Sequence, residues 1–294
     1  MPSKPRIGKL VVIGVGLIGG SFAAALKQAG FVERVIGVGR TRRNLAAALR
    51  AGLIDETAAH AGRAVHDADL VFIGTPVGQV AAVMARIAPH LPPHAVITDG
   101  GSTKQDVIAH ARRLLGGHFA RFVPAHPIAG AETSGASAAT AGLYRGRTVI
   151  VVPQPGTAPR ALRLVRSAWE QCGANVMRLS AREHDEIFAA ASHLPHVVAY
   201  ALVSALARRR NARELFGVAG AGLRDTVRIA GSSPEMWRDI CLANRKALLA
   251  WIDRYVAELR IARRAIRRGD GAALGRIFVR ARASRAKWLL KAKA

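Results

Sequence analysis

The stretch Leu10-Val11-Val12-Ile13-Gly14-Val15-Gly16-Leu17-Ile18-Gly19-Gly20, running on into Ser21-Phe22-Ala23-Ala24-Ala25-Leu26, decides the fold. Four apolar, mostly β-branched residues read as a buried strand, and the Ala-rich run after the glycines reads as a helix. Between them the glycines keep the GxGxxG spacing, in the strand–loop–helix context that a dinucleotide-binding loop requires. The spacing has steric reasons. Gly14 permits the tight turn, Gly16 lets backbone approach a pyrophosphate, and Gly19 lets helix and strand close on one another. Leu17 and Ile18 open the helix, whose free N–H groups would face the phosphates.

Upstream, Lys4, Arg6 and Lys9 followed by the apolar run to Leu26 imitate the basic and apolar regions of a signal peptide. The four glycines inside the run decide against that, and no longer apolar span follows that would cross a membrane. Only Cys172 and Cys241 occur, far apart, so neither a disulfide framework nor a CxxC site is indicated and a cytoplasmic setting is expected.

Downstream, short β-branched runs alternate with Ala/Leu-rich stretches. Strands are expected at Leu10–Ile13, Val35–Val38, Leu70–Gly74, Val96–Asp99, Phe122–Ala125 and Thr148–Val152. Near-continuous apolar strands separated by helices read as a parallel sheet covered on both faces, which makes residues 1–153 a doubly wound α/β domain of Rossmann type. Pro153, Pro155, Gly156 and Pro159 read as a linker. Apart from a strand at Ala174–Leu179, residues 154–294 read as an all-α domain with helices over 158–171, 181–209, 211–230, 234–267 and 271–290. The fourth is long enough to imply packing beyond its own small domain, and a homodimer accounts for it most simply.

The formal charge of +25 raises the question of nucleic acid. The basic residues are mostly arginines spread along Ala-rich helices with few aromatics between them, which reads as a solvated basic surface that steers anionic substrates rather than a nucleic-acid site. The end of the second strand, Gly39-Arg40-Thr41-Arg42-Arg43, lacks the carboxylate that binds the ribose hydroxyls of NAD. Arginines and a hydroxyl suit a 2′-phosphate, so NADP is preferred over NAD. Thr75 and Pro76 end the third expected strand, and Ser102 follows the fourth; ligands of open α/β sheets gather at these carboxyl ends.

His126, in His126-Pro127-Ile128-Ala129-Gly130-Ala131-Glu132, sits at the same edge, where an imidazole can take a proton from a substrate hydroxyl as hydride departs. The Ser102 hydroxyl is placed to orient it. His60, His90, His94 and His118 take structural or surface roles. His184, His193 and His196 invite a zinc reading, but no matching carboxylate or thiolate spacing accompanies them, so no metal is expected. For His184 and His193, a substrate-facing helix and a purely structural role both stay open. Arg228 is a good carboxylate clamp, or else an ion-pair partner of Asp225 on the same helix face.

Taken together, GVGLIGGSFA (14–23), GTPV (74–77), DGGSTK (99–104), HPIAGAE (126–132), HDEIFAAASHLPH (184–196) and RDTVRIAGSSPEMWRDI (224–240) resemble the prephenate/arogenate (cyclohexadienyl) dehydrogenases, in that family's order and over roughly residues 10–250. The resemblance implies a Rossmann domain followed by a helical dimerisation domain, and oxidative decarboxylation of prephenate or arogenate on the way to tyrosine. It implies that His126 is the catalytic histidine, which helps remove the ring-hydroxyl proton, with Ser102 beside it. His196 and Arg228 are implied as substrate-site residues, and Glu132 and Asp225 as acids of an ionic network around that arginine. Relatives fused to a chorismate mutase or ACT domain differ: neither is expected before Lys9 or after Gly269.

Two other readings make contrary predictions. A β-hydroxyacid or imine dehydrogenase of similar architecture relies on a catalytic lysine in the helical domain, where no comparable helix is evident. A nucleotide-sensing or nucleic-acid-binding protein would retain DNA or RNA in a salt-sensitive way without turnover.

Overall fold

A computed structural model of the chain describes residues 7–130, 133 and 135–291. The chain divides into two compact units between Arg245 and Lys246. The first opens with a six-stranded sheet: β1 (Ile7–Ile13), β2 (Val32–Val38), β3 (Glu56–Thr57), β4 (Leu70–Ile73), β5 (Val96–Asp99) and β6 (Phe122–Val123). Their order is β3-β2-β1-β4-β5-β6 and every pairing is parallel. Helices α1 (Leu17–Gln28), α2 (Arg42–Arg50), α3 (Ala61–Ala64), α4 (Val77–Ile87) and α5 (Gln105–Leu114) connect the strands. This is the doubly wound Rossmann arrangement. β1, β4 and β5 are buried almost throughout because both sheet faces are covered, which is why the sequence runs apolar without alternating.

The chain leaves this sheet after Val123. β7 (Ala125–Pro127), β8 (Thr148–Val151) and β9 (Asn175–Arg178) form a separate three-stranded sheet, with β7 antiparallel and β9 parallel to β8. The apolar run at Thr148–Val152 thus belongs to the second sheet, not to the parallel one. The proline-rich stretch after Val152 is a loop, and α6 (Pro159–Gln171) then returns to the first core. There Trp169 packs against Phe22 and Phe72 with ring centroids 4.5 and 6.0 Å away, and Phe22 stacks on Phe72 at 4.6 Å. Offset and edge-on aromatic contacts of this kind add about 0.5–1.5 kcal/mol each beyond burial.

From Ala181 to Lys291 the chain is mainly helical. α7 (Ala181–Phe188) opens with a capping box, in which the Ser180 hydroxyl accepts the Glu183 N–H and the Glu183 carboxylate accepts the Ser180 N–H. A π-turn (Ala189–His193) joins it to α8 (Leu194–Ala207). The combined run Ala181–Ala207 is long and apolar enough to cross a membrane by length and composition alone. α9 (Ala212–Gly217), α10 (Ala221–Val227), a 3₁₀ turn (Arg228–Gly231) and α11 (Pro234–Ala243) complete the first unit. The expected helices over 211–230 and 234–267 are therefore broken, the first by Gly217 to Gly220 and the second at Asn244. The second unit holds α12 (Arg245–Arg268), whose first residue falls in the first unit, and α13 (Gly271–Lys291), and it exposes Leu249, Leu259, Ile266, Phe278, Val279 and Trp288.

Candidate active site

At the carboxyl ends of β1, β2 and β4 lies a cleft of about 870 Å³. Gly14 turns the chain there with φ +98°, a conformation that L side chains rarely adopt, and a Cβ on it would stand 2.7 Å from the Gly74 carbonyl. On Gly19 a Cβ would stand 2.3 Å from the Gly14 oxygen, so the first turn of α1 lies directly on the loop. A Cβ on Gly16 meets nothing within 4 Å: this residue fronts open space at the helix N-terminus, where the orphan N–H groups lie. Gly14, Gly16, Arg40, Thr41, Thr75 and Pro76 line the cleft, whereas Leu17, Ile18, Gly19 and Arg42 do not and serve as its frame. The Ile18 carbonyl accepts the Tyr144 hydroxyl at 2.6 Å, and Arg42 opens α2.

The donor set fits a dinucleotide. Besides the loop glycines, the Thr75 hydroxyl is buried in the cleft wall with no partner among the described residues, and the Thr41 hydroxyl is not spent on capping α2. Several wall residues escaped the sequence reading. His60 and His90, given structural or surface roles, stand on this wall with Arg63, Arg86 and Asn44. Asn44 donates to the Val15 carbonyl at 2.6 Å and accepts the Ala136 N–H at 2.9 Å, tying the 135–136 segment to the glycine loop. Its signal was only an Asn in the first turn of a helix.

At the carboxyl end of β5 a buried corner begins with Asp99 and Lys104, both fully buried and paired. Asp99 also accepts the Gly101 and Ala125 N–H groups at 2.9 and 3.1 Å, and Lys104 donates to the Ala125 carbonyl at 2.8 Å. Together they fix the start of β7, which carries His126. This imidazole is 8% exposed. Its Nδ1 lies 2.8 Å from Nε2 of His184, whose own Nδ1 lies 2.8 Å from Asp185 Oδ1. Burial, with His184 and Lys104 nearby, holds the His126 pKa well below its ordinary value. Burial lowers His184 as well, against the opposing hydrogen bond to Asp185. Burial thus favours the neutral form of both rings. The Ser102 hydroxyl, half-buried in the β5–α5 loop, makes no hydrogen bond to His126 here; His184 occupies the ring's Nδ1 instead.

A second group of side chains flanks this corner. His196 stacks on Trp237 with ring centroids 3.4 Å apart and planes 18° from parallel. Trp237 packs with Ile240 against Val77, directly after Pro76 of the cleft, so His196 is anchored beside the cofactor end. Its Nδ1 is held at 2.9 Å by the Ser192 carbonyl. Burial and the nearby Arg228 charge lower the His196 pKa against that hydrogen bond. Arg228 therefore stands within electrostatic reach of His196, on the 3₁₀ turn. Asp225 is exposed and forms no ion pair with Arg228 among the described contacts. Glu132 lies outside the described residues. His193, left open between two roles, is a core histidine that accepts from Asn244 Nδ2 at 3.1 Å.

A nucleotide cleft at the switch point of a parallel sheet, with a buried imidazole on β7 where the chain leaves that sheet, places the chain among the NAD(P)-dependent dehydrogenases. Within that class it belongs to the prephenate dehydrogenase family: the family's nucleotide-binding domain matches residues 22–178 and its dimerization domain residues 180–280. The chain is 35% identical over 266 residues to a cyclohexadienyl dehydrogenase of Zymomonas mobilis, covering 89% of each. It is also 35% identical to a prephenate dehydrogenase of Bacillus subtilis, over 92% of this chain and 73% of that one. Its fold matches a prephenate dehydrogenase of Aquifex aeolicus, solved with hydroxyphenyl propionate and NAD+, at a TM-score of 0.89 and 34% identity over 95% of this chain and 98% of that one. An arogenate dehydrogenase of Synechocystis matches at 0.78 and 29% identity, over 95% and 99%.

Proposed function

We propose that the chain oxidatively decarboxylates prephenate or arogenate, with NADP preferred over NAD, and that His126 is its catalytic residue. The observation that carries the proposal is the setting of that ring: buried, held through Nδ1 against His184, and with no described partner on Nε2. An unprotonated Nε2 accepts the ring-hydroxyl proton as the carbon that bears the hydroxyl loses hydride. When bound, the nicotinamide supplies the hydride acceptor. The bond from the ring to its carboxylate then breaks, carbon dioxide leaves, the electron pair flows into the ring and makes it aromatic, and the resulting phenolate oxygen takes the proton back from His126. Aromatisation drives the step, so the protein's work is alignment.

Arg228 and His196 are assigned to the substrate's carboxylates, Ser102 to the hydroxyl side, and Glu132 and Asp225 to the surroundings of Arg228. Arg40, Thr41 and Arg42 are assigned to a 2′-phosphate, which accounts for a strand end without a carboxylate. Dimerisation would cover the apolar side chains exposed on α12 and α13 and the half-exposed apolar face of α8, which explains the hydropathy of Ala181–Ala207 without a membrane. Nucleic acid is not a partner in this proposal, and two free cysteines suit the cytoplasm. The test is reduced-cofactor formation with prephenate and arogenate, each against NAD and NADP. Turnover with either substrate, fastest with NADP, supports the proposal; none in all four mixtures overturns it.

A further inference from the structure

We infer that Asp185 and His184 are positioning residues that fix His126 in the Nδ1–H tautomer, so that Nε2 faces the substrate as a lone pair. The inference rests on His126 as the catalytic residue and concerns what sets that ring's polarity.

The direction of the chain of bonds is set at its far end. The Asp185 carboxylate, 1% exposed, accepts the Lys104 N–H at 2.8 Å and the Gln105 N–H at 2.9 Å, the first backbone donors of α5, and also the Gln105 side-chain amide at 3.2 Å. A helix N-terminus favours the charged form, and these donors already face both oxygens, so a carboxyl proton has nowhere to point. An ionised carboxylate only accepts. His184 must therefore donate from Nδ1 and, in the neutral form that its burial favours, accept at Nε2. His126 must then donate from its own Nδ1, which leaves its Nε2 without a proton. The geometry allows no other polarity unless one ring is protonated.

The surroundings pack closely around the buried rings. Phe188 packs edge-on against His126 and tilted against His184, with centroids 4.7 and 4.6 Å away. Asn244 donates to the Asp185 carbonyl at 2.7 Å, and its amide also meets His193 across the π-turn. The charged and titratable groups around the two rings are Lys104 on the β5–α5 loop, Asp99 at the end of β5, Asp185 on α7 and His193 on the π-turn. Of these only Asp185 bonds to His184, so it alone selects the tautomer. The logic is that of a buried acid that orients an imidazole without taking its proton, with a second imidazole interposed.

The test combines a readout that needs no turnover with one that does. In the full-length protein labelled with ¹⁵N-histidine, long-range proton–nitrogen spectra distinguish the tautomers, and His126→Asn identifies the His126 signals by their loss. The expected result is Nδ1–H for both His126 and His184. His126 found as Nε2–H overturns the inference outright, whether or not the enzyme is active. In His184→Leu the His126 signal should no longer report a single tautomer. Its kcat should fall about 10- to 100-fold with KM little changed, since His184 acts through alignment of His126 rather than by touching substrate. His184→Gln, whose amide oxygen can still accept from Nδ1–H, should recover most of that loss. An unchanged tautomer and kcat in His184→Leu, or a fall that Gln does not relieve, would overturn the relay while leaving the assignment of His126 intact. If His184→Leu does not fold, the wild-type tautomer and the Gln variant still decide the matter.

Discussion

The glycine-loop cleft and the buried corner around His126 solve opposite problems. The cleft is built mainly from backbone: glycines close together in sequence clear a path, and its side chains, such as Arg40, are largely exposed. The corner is built from side chains brought together over long separations. His126 meets His184 across 58 residues, Lys104 N–H meets Asp185 across 81, and Asn244 meets Asp185 across 59. An open cleft tolerates changes of side chain but no added Cβ at Gly14 or Gly19. A closed polar network tolerates no unmatched donor or acceptor, because in a dry interior each unpaired group bears its full desolvation cost.

The sharpest break of this contrast is His126→Asn. Removing the acceptor at the reacting hydroxyl should lower kcat about 10³-fold, within the range expected for a positioned general base, and should leave cofactor affinity nearly unchanged. Cofactor binding by fluorescence titration and steady-state kinetics check both halves. A matching loss of cofactor affinity would mean that the two regions are not separable. Next in size is Lys104→Met. Asp99 would be left as a buried charge with only the Gly101 and Ala125 N–H groups, and breaking a buried pair this way costs about 3–5 kcal/mol. Urea unfolding should register that, and a loss under about 1 kcal/mol would contradict a rigid corner.

How much was legible follows the same division. The glycine loop and the strands Leu70–Ile73 and Val96–Asp99 were readable because their determinants are local: spacing, β-branching and a helix that follows at once. The departure of the chain after Val123 was not, since the run at Thr148–Val152 is equally apolar in either sheet, and only pairing with Ala125–Pro127 shows which one it joins. The helix 181–209 read as continuous, but periodicity is blind to one extra residue per turn, which is what the π-turn inserts between His184 and His196. Ser102 was paired with His126 because both stand at the sheet edge. The partner found there, His184, is 58 residues away on a helix whose docking no local pattern encodes. His60 and His90 carry no motif, and only the fold brings them to the cleft wall.

Acid distinguishes the corner from the cleft by its effect on stability. Burial pushes the His193 pKa down to about 4, with Asp185 opposing, and the ring accepts from Asn244, which requires the neutral form. Above the unfolded value near 6.5 the contribution is fully present. As pH falls, the unfolded chain takes the proton first, and stability drops until the native ring protonates near pH 4. The loss amounts to about 3 kcal/mol over that window, and His126 and His184, also lowered, add in the same direction. The melting temperature should therefore fall clearly between pH 7 and pH 5, and less steeply in His193→Gln. Equal slopes in the two proteins would remove His193 as a source of acid lability.

The smallest expected effect lies in the cleft and asks whether an exposed arginine sets cofactor choice. Arg40 is 70% exposed and sits 3.9 Å from Glu235, a separation and exposure at which an ion pair contributes little to stability. In the proposed function its role is toward a ligand. A 2′-phosphate offers charge-assisted, two-pronged hydrogen bonding that a ribose hydroxyl does not, so Arg40→Ser should lower kcat/KM for NADP about tenfold and leave NAD within about threefold. Because the contact is at the surface, the NADP advantage should also shrink as ionic strength rises, and should do so in the wild type but not in Arg40→Ser. Removing Glu235 by Glu235→Gln should move the preference the other way, since its carboxylate competes with phosphate for the same guanidinium. If Arg40→Ser lowers both cofactors equally, the arginine acts by general attraction of anions. The 2′-phosphate would then have to be recognised by Thr41 and Arg42, or not at all.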